Sequence, residues 1–158
     1  MNELINTEDI DAFRKRFMLH LPEDSEDNAL VILKGHLLAE EILTEYIVRK
    51  IKHSEHLSLT DNHWGFVNKL ELAWALSSDK HHQMWIWSSL KKLNAVRNKY
   101  SHSLEPKGVD KISKDLHDSI SLNVPGKFHG AELSIYGCVV LLVSSLFTIV
   151  NSEYKSDA

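Results

Sequence analysis

The sequence is poor in the residues that make turns and cross-links. Its 158 residues include three prolines, six glycines and a single cysteine, Cys138. An all-β sandwich or barrel needs a turn about every 8–12 residues, so this shortage favours a fold of a few long elements. One cysteine cannot form an intrachain disulfide or a cysteine metal cage. Together with an acidic N-terminus that lacks a secretory signal, this predicts a cytoplasmic protein.

The chain also lacks an excess of positive charge. Lysine and arginine number 18 against 22 aspartates and glutamates, a formal net charge of −4, so no global field would draw the protein onto nucleic acid. The charge is unevenly distributed, because residues 1–45 contain eleven acidic and four basic residues, whereas residues 90–107 contain five basic residues and one acidic residue. A local anion site is therefore compatible with an acidic protein.

Apolar residues recur with helical spacing along most of the chain. The pattern predicts an all-α, antiparallel helical bundle of five to six helices in a single domain over residues 1–158. Its core is expected over about residues 7–151, and residues 152–158 are expected to form a short flexible tail. Capping side chains are predicted for the first, third and fourth helices: Thr7, Asp61 or Asn62, and Ser78 or Asp79.

The second helix is predicted from about Asn28 to Ile51, and two adjoining apolar stripes predict that it faces the core broadly. One stripe consists of Leu30, Leu33 and Leu37, and the other of Leu38, Ile42 and Tyr46.

An uncharged run over residues 133–150 approaches the length of a membrane span. Small or polar side chains form one helical stripe within it, where another helix could approach closely: Ser134, Gly137, Ser144 and Thr148. No cluster of lysine or arginine precedes the run to orient a span. The pattern favours the central helix of a soluble bundle, and a C-terminal membrane anchor is the alternative.

The fourth helix, ending near His102, carries the candidate chemistry. Its apolar stripe is Ile86, Leu90, Leu93, Tyr100 and Leu104. Arg97 occupies the missing position of that stripe, and burial of an unpaired guanidinium costs several kcal/mol. Arg97 must therefore pair with a carboxylate, face a second subunit or bind an anionic ligand. Glu40 and Glu41 of the second helix are the candidate carboxylates.

His102 follows Arg97 by five residues, which is about 140° around an ideal helix. Fraying or tightening of the last turn would be needed to bring the two side chains to one point. Asn98 shares a helical face with His102. An imidazole that exchanges a proton near neutral pH, beside an arginine that clamps a phosphate, suits metal-free RNA cleavage. The structural alternative is a core ion pair for Arg97 and a helix-capping role for His102.

The stretch from Leu90 to His102 reads LKKLNAVRNKYSH and resembles the signature of the HEPN superfamily. These all-α domains have an arginine, a polar residue that is often asparagine, and a histidine a few residues later. Arg97, Asn98 and His102 occupy these positions. The resemblance implies a metal-independent endoribonuclease without a cofactor, acting as a homodimer whose two motifs face one cleft. Many such proteins are toxins of toxin–antitoxin or antiphage defence systems, neutralised by a partner protein.

The resemblance also implies roles for individual residues. His102 would be the general acid and base, Arg97 the phosphate clamp, and Asn98 the residue that orients His102 or the RNA backbone. The neighbouring polar and basic residues are expected to bind the RNA: Asn94, Lys99, Ser101 and Lys91. Some toxins carry a tyrosine two residues after the histidine, where a partner modifies it, but this sequence has Leu104. Other members have lost catalysis, including relatives grouped with the mannitol operon repressor. The alternative function is therefore a catalytically inactive binding or regulatory module whose partner is a nucleotide, RNA or a transcription regulator.

Other chemistry-bearing residues have weaker patterns. His53, His56 and His63, with Asp61, could form a zinc site, but no fixed ligand spacing is present and a solvated helix end and loop is favoured. The four tryptophans could stack on RNA bases, although at helical spacing a core role is favoured: Trp64, Trp74, Trp85 and Trp87. Cys138 has no basic neighbour that would make it a nucleophile.

Overall fold

The structure, a computed structural model, describes residues 10–21, 26–59, 63–78, 83–124 and 133–156. These residues form six α-helices and a 3₁₀ turn at Ser54–His56, with no strand among them, which confirms the predicted all-α class. The helices are α1 (Ile10–His20), α2 (Asn28–Lys50), α3 (Phe66–Leu76), α4 (Met84–His102), α5 (Val109–Ser121) and α6 (Ile135–Ser156). The predicted caps Thr7, Asp61, Asn62 and Asp79 lie outside the described residues.

Helix α2 is the central element, and it packs against α3, α4 and α6. The Asp27 side chain accepts a hydrogen bond from the Leu30 amide at 3.1 Å and so caps its start. Helices α2 and α6 approach closely because Gly35 has no side chain, and a Cβ there would lie 2.2 Å from Val139 Cγ1. Gly35 thus lets two long apolar helices form the centre of the core.

Only one of the two stripes predicted to be buried on α2 is buried. Leu38, Ile42 and Tyr46 are in the core, whereas Leu30, Leu33 and Leu37 are 43, 39 and 49% exposed. The reason is that α3, α4 and α6 pack against the other side of α2. On the side of the exposed leucines, α1 reaches α2 through the ion pair between Arg16 and Glu41. We call Leu30, Leu33 and Leu37 the open leucine stripe.

Helix α6 is long and apolar enough over Ile135–Glu153 to cross a membrane, and half of that window is buried within the bundle. The stripe of small residues on α6 is exposed or half-buried in the single chain: Ser134, Gly137, Ser144 and Thr148. The opposite face of α6 packs inward instead, with Val139 against Gly35 of α2. Helix α6 continues to Ser156, so it extends into the segment that the sequence predicts as a tail.

Helix α4 begins at Met84, later than predicted. Gln83 precedes it and makes no side-chain cap. It ends at His102 as predicted, and the loop Glu105–Gly108 leads into α5. Gly108 has a φ of 74°, a left-handed conformation that favours glycine. Tyr100 is half-buried and Leu104 fully exposed, so the core-facing stripe of α4 is shorter than predicted.

A buried carboxylate joins three helices at the C-terminal end of α2. Glu153 of α6 accepts hydrogen bonds from the Tyr46 hydroxyl, from Ser77 Oγ at 2.8 Å and from the Ser78 amide at 3.0 Å. Lys50 Nζ lies 3.5 Å from the same carboxylate. Burial raises the pKa of Glu153, but these donors outweigh it and leave the pKa below its ordinary value of 4.5.

We expect Glu153→Gln to lower the free energy of unfolding by about 1–3 kcal/mol at pH 7, because the ionised acceptor is lost while its buried donors remain. Because the pKa of Glu153 is lower in the folded than in the unfolded protein, its ionised carboxylate stabilises the fold at a pH above the unfolded-state pKa. This stabilisation is lost as the pH falls through the folded-state pKa. Urea titrations should therefore show the difference shrinking below about pH 4.5. The control, Glu71→Gln, removes a surface pair with Lys91 and should change stability by less than about 1 kcal/mol. A pH-independent difference would contradict this prediction.

Candidate functional site

Arg97 lies on the core-facing side of α4, near the end of the helix. Leu93 and Val96 beside it are fully buried, and Arg97 itself is half-buried. Its Nη1 donates to the Asn98 side-chain oxygen at 3.1 Å. Its Nε is buried and has no hydrogen-bond partner within the described residues. The guanidinium therefore keeps donor capacity in a partly desolvated place.

The two carboxylates expected to neutralise Arg97 are engaged elsewhere. Glu40 accepts from Lys69 Nζ of α3 at 2.8 Å, and Glu41 pairs with Arg16 of α1. Across the described part of the chain, Arg97 forms no ion pair with any carboxylate. The core ion pair that defines the structural alternative is thus absent from these residues.

His36 of α2 also lies here, and the sequence analysis did not identify it. We call Arg97, Asn98, Asn94 and His36 the cluster. His36 is 2% exposed, and its Nε2 lies 3.0 Å from Asn94 Oδ1 on α4. Its ring contacts Phe66, with a centroid separation of 4.1 Å. Burial lowers the pKa of His36 below its ordinary value of 6.5, and the charges of Arg97 and Lys69 lower it further. The Asn94 hydrogen bond and Glu40 offset part of that shift, and the imidazole is neutral near pH 7.

A signal for His36 was present in the pattern of α2. It lies four residues after Ile32, three before Ala39 and seven before Leu43, and all three of these are buried. A polar residue at such a position must face the core, which is the same argument that identified Arg97.

His102 occupies different surroundings from Arg97 in the single chain. It is exposed at the last residue of α4, and Ser103 after it is extended. Because α4 stays α-helical through His102, the last turn does not tighten, and the separation of about 140° persists. Asn98 lies between the two, where its side chain accepts from Arg97. One copy of α4 does not aim both groups at one point.

The residues expected to bind RNA fall into two groups. Asn94 belongs to the cluster through His36, while Lys99 and Ser101 are exposed on the outer side of α4. Lys91 lies further back, with its Nζ 3.3 Å from Glu71 and 5.7 Å from the centre of the Trp74 ring. Of these four residues, Asn94 is therefore the one that contacts His36 of α2.

The candidate zinc residues that the structure describes lie at the surface, and two of the tryptophans stack on each other. Glu55 lies 3.3 Å from His53 and 3.7 Å from His56, all exposed, and no group of three metal-binding side chains occurs among the residues described. The rings of Trp74 and Trp87 stack at 6.1 Å, and Trp87 is fully buried.

The two remaining tryptophans, Trp64 and Trp85, are half-buried against the core.

Burial raises the pKa of the Cys138 thiol to about 11, which makes it a poor nucleophile. His63 is exposed, and Asp61 lies outside the described residues.

We expect Arg97→Met to change the free energy of unfolding by less than about 1 kcal/mol, because it removes a partly desolvated charge that no described carboxylate neutralises. Lys69→Met, the matched control, leaves Glu40 without its cation and should destabilise by about 1–3 kcal/mol. Urea unfolding of the two variants checks this. An Arg97→Met variant as unstable as Lys69→Met would show that Arg97 is a structural ion-pair residue.

The cluster can offer several hydrogen-bond donors and one positive charge to an anion. Arg97 supplies the charge, Asn94 an amide group and Asn98 a further amide beside the guanidinium. Planar guanidinium donors match phosphate oxygens well.

Comparison of the chain with protein-family models, with curated proteins and with solved structures finds no match.

Proposed function

We propose that the chain is a metal-independent endoribonuclease of the HEPN type that acts as a homodimer. The observation that carries the proposal is the half-buried guanidinium of Arg97, which meets no carboxylate in the described part of the protein. A partly desolvated cation that keeps a donor without a partner among the described residues is suited to an anionic ligand. The residues around it resemble the motif that ends at His102.

In the proposed reaction the ribose 2′-oxygen forms a bond to phosphorus while the bond to the 5′-oxygen breaks. His102 takes the proton from the 2′-hydroxyl, and an imidazolium returns a proton to the leaving 5′-oxygen. Arg97 stabilises the negative charge that develops on the phosphoryl oxygens. The products are a 2′,3′-cyclic phosphate and a 5′-hydroxyl.

A second copy of the chain would solve the problem that His102 and Arg97 diverge on one helix. In a twofold dimer the same surface of each copy meets itself, so the two α4 motifs can face one cleft. The open leucine stripe supports such a dimer, since it is apolar and exposed on the helix that contacts Asn94. Leu33 precedes His36 by three residues, so the stripe borders the face of α2 that carries His36.

We further propose that the nuclease is a toxin or a defence effector held inactive by a partner protein. Leu104 is fully exposed where some related toxins have a tyrosine. Such a partner would therefore act by a means other than modification at that position. The second candidate function is an RNA-binding or regulatory module without turnover, which the divergence of Arg97 and His102 in the single chain favours.

We expect the purified protein to cleave RNA in the presence of EDTA and to leave a 2′,3′-cyclic phosphate, detected by phosphatase-resistant ends. His102→Ala should lower kcat at least about 100-fold, because general acid and base catalysis contributes about that much. His56→Ala, which removes another exposed histidine on the 3₁₀ turn, should be fully active.

Loss of cleavage in EDTA, or full activity of a folded His102→Ala variant, would contradict the nuclease. RNA binding by the wild-type protein without any cleavage would support the binding module instead. Thermal melting of each variant establishes that it is folded.

We expect Leu37→Glu to convert the dimer to a monomer and to lower RNA cleavage at least about tenfold, because the change places two charges in an apolar interface. Sedimentation velocity measures the first effect. Val48→Glu adds the same charge to another exposed apolar position of α2, 39% exposed against 49% for Leu37. Val48 lies about 16 Å further along the helix, so this variant should leave the dimer intact. A stable dimer of the Leu37→Glu variant would show that the open leucine stripe is not the interface.

A further inference from the structure

His36 is a buried polar residue, and its one hydrogen bond within the described residues reaches α4. Its Nε2 lies 3.0 Å from Asn94 Oδ1, while its Nδ1 is buried without a partner in the described part of the chain. Phe66 of α3 fixes the plane of the ring by contact at 4.1 Å between centroids. The imidazole is therefore held from two sides and directed at one acceptor.

The surroundings decide which nitrogen carries the proton. If Nδ1 carried the proton, an N–H donor would be buried without an acceptor among the described residues. The positive charge of Arg97 would also act unfavourably on that N–H group. With the proton on Nε2, the imidazole donates to Asn94 Oδ1. Nδ1 then carries a lone pair, whose negative partial charge is compatible with the nearby positive charge of Arg97. The neutral imidazole with Nε2–H is thus the form that fits this place.

This hydrogen bond fixes the direction of the Asn94 amide. A free asparagine presents either its oxygen or its nitrogen to a ligand, since the two are interchangeable by rotation of the amide. When Oδ1 is held by His36, the planar Nδ2 group must point away from α2. Asn94 precedes Arg97 by three residues and Asn98 by four, so all three lie on neighbouring positions of α4.

We propose that His36 is a positioning residue for the RNA site, holding Asn94 so that its amide nitrogen donates to the RNA backbone beside the Arg97 guanidinium. This inference rests on the proposed nuclease function and adds to it a residue outside the α4 motif. His36 itself touches no RNA, because its side chain is buried.

The charged groups around His36 are compatible with this role. Glu40, one turn further along α2, is paired with Lys69 of α3 at 2.8 Å, which leaves the carboxylate engaged. Arg97 of α4 is the other charge that acts on the imidazole. A neutral His36 adds no further positive charge to the cluster and no acceptor that would compete with phosphate for Arg97.

The experiment compares two substitutions of His36 that differ in one donor. His36→Gln keeps an N–H donor near the place of Nε2, whereas His36→Leu keeps volume and removes the donor. We expect kcat/KM for RNA cleavage to fall about tenfold in the leucine variant and to recover largely in the glutamine variant. Asn94→Ala should cause a similar loss, and the double variant His36→Leu with Asn94→Ala should be no worse than Asn94→Ala alone.

The control is His117→Leu, which removes a half-buried histidine paired with Asp118 on α5 and should leave kcat/KM unchanged. Nitrogen chemical shifts of the His36 ring should report a proton on Nε2 in the wild-type protein. An inactive wild-type protein overturns the proposed function and this inference together. An active wild-type protein overturns this inference alone if His36→Leu cleaves RNA equally well, if glutamine gives no rescue, or if the losses at His36 and Asn94 add.

Discussion

The half-buried guanidinium of Arg97 is the constraint to which its surroundings respond. Partial removal of a cation from water is unfavourable unless a countercharge or a ligand compensates. The nearby carboxylates do not compensate it, since Glu40 is bound to Lys69 and Glu41 to Arg16. His36 is held neutral, so it neither opposes nor cancels the charge. Among the residues that the structure describes, what remains is a positive charge with an unpaired donor, on a protein whose net charge is negative.

A second polar cluster on α2 shows the opposite arrangement. The buried charge of Glu153 on α6 receives hydroxyl and ammonium partners from α2, and hydroxyl and amide partners from the two residues that follow α3. Tyr46 of that cluster lies ten residues beyond His36, about 15 Å along the same helix. A fully partnered charge fixes the packing of the bundle, whereas an incompletely partnered one leaves binding capacity. This difference in partners, rather than burial alone, separates the structural cluster from the candidate site.

The sequence predicted most of the elements but not their neighbours. Periodicity located α2 and the end of α4 correctly, because the repeat of apolar residues reports helix faces directly. It did not show that Leu33 would be exposed, since the number of helices covering a face depends on how distant segments pack. For the same reason the contact between His36 and Asn94, 58 residues apart, could not be read from local spacing. The core-facing position of Arg97 could be predicted from the sequence, because it depends only on the spacing of apolar residues within α4.

The open leucine stripe and the charge of Arg97 reinforce each other if two copies meet there. Over residues 29–39, α2 is apolar around most of its circumference, which is typical of a helix covered on all sides. A second copy over Leu30, Leu33 and Leu37 would bury these leucines and remove water from the adjoining cluster. In a drier cleft, each hydrogen bond from Arg97 or Asn94 to a phosphate becomes stronger, because less solvent screens it. Assembly would then supply both the second motif and the low dielectric that electrostatic catalysis requires.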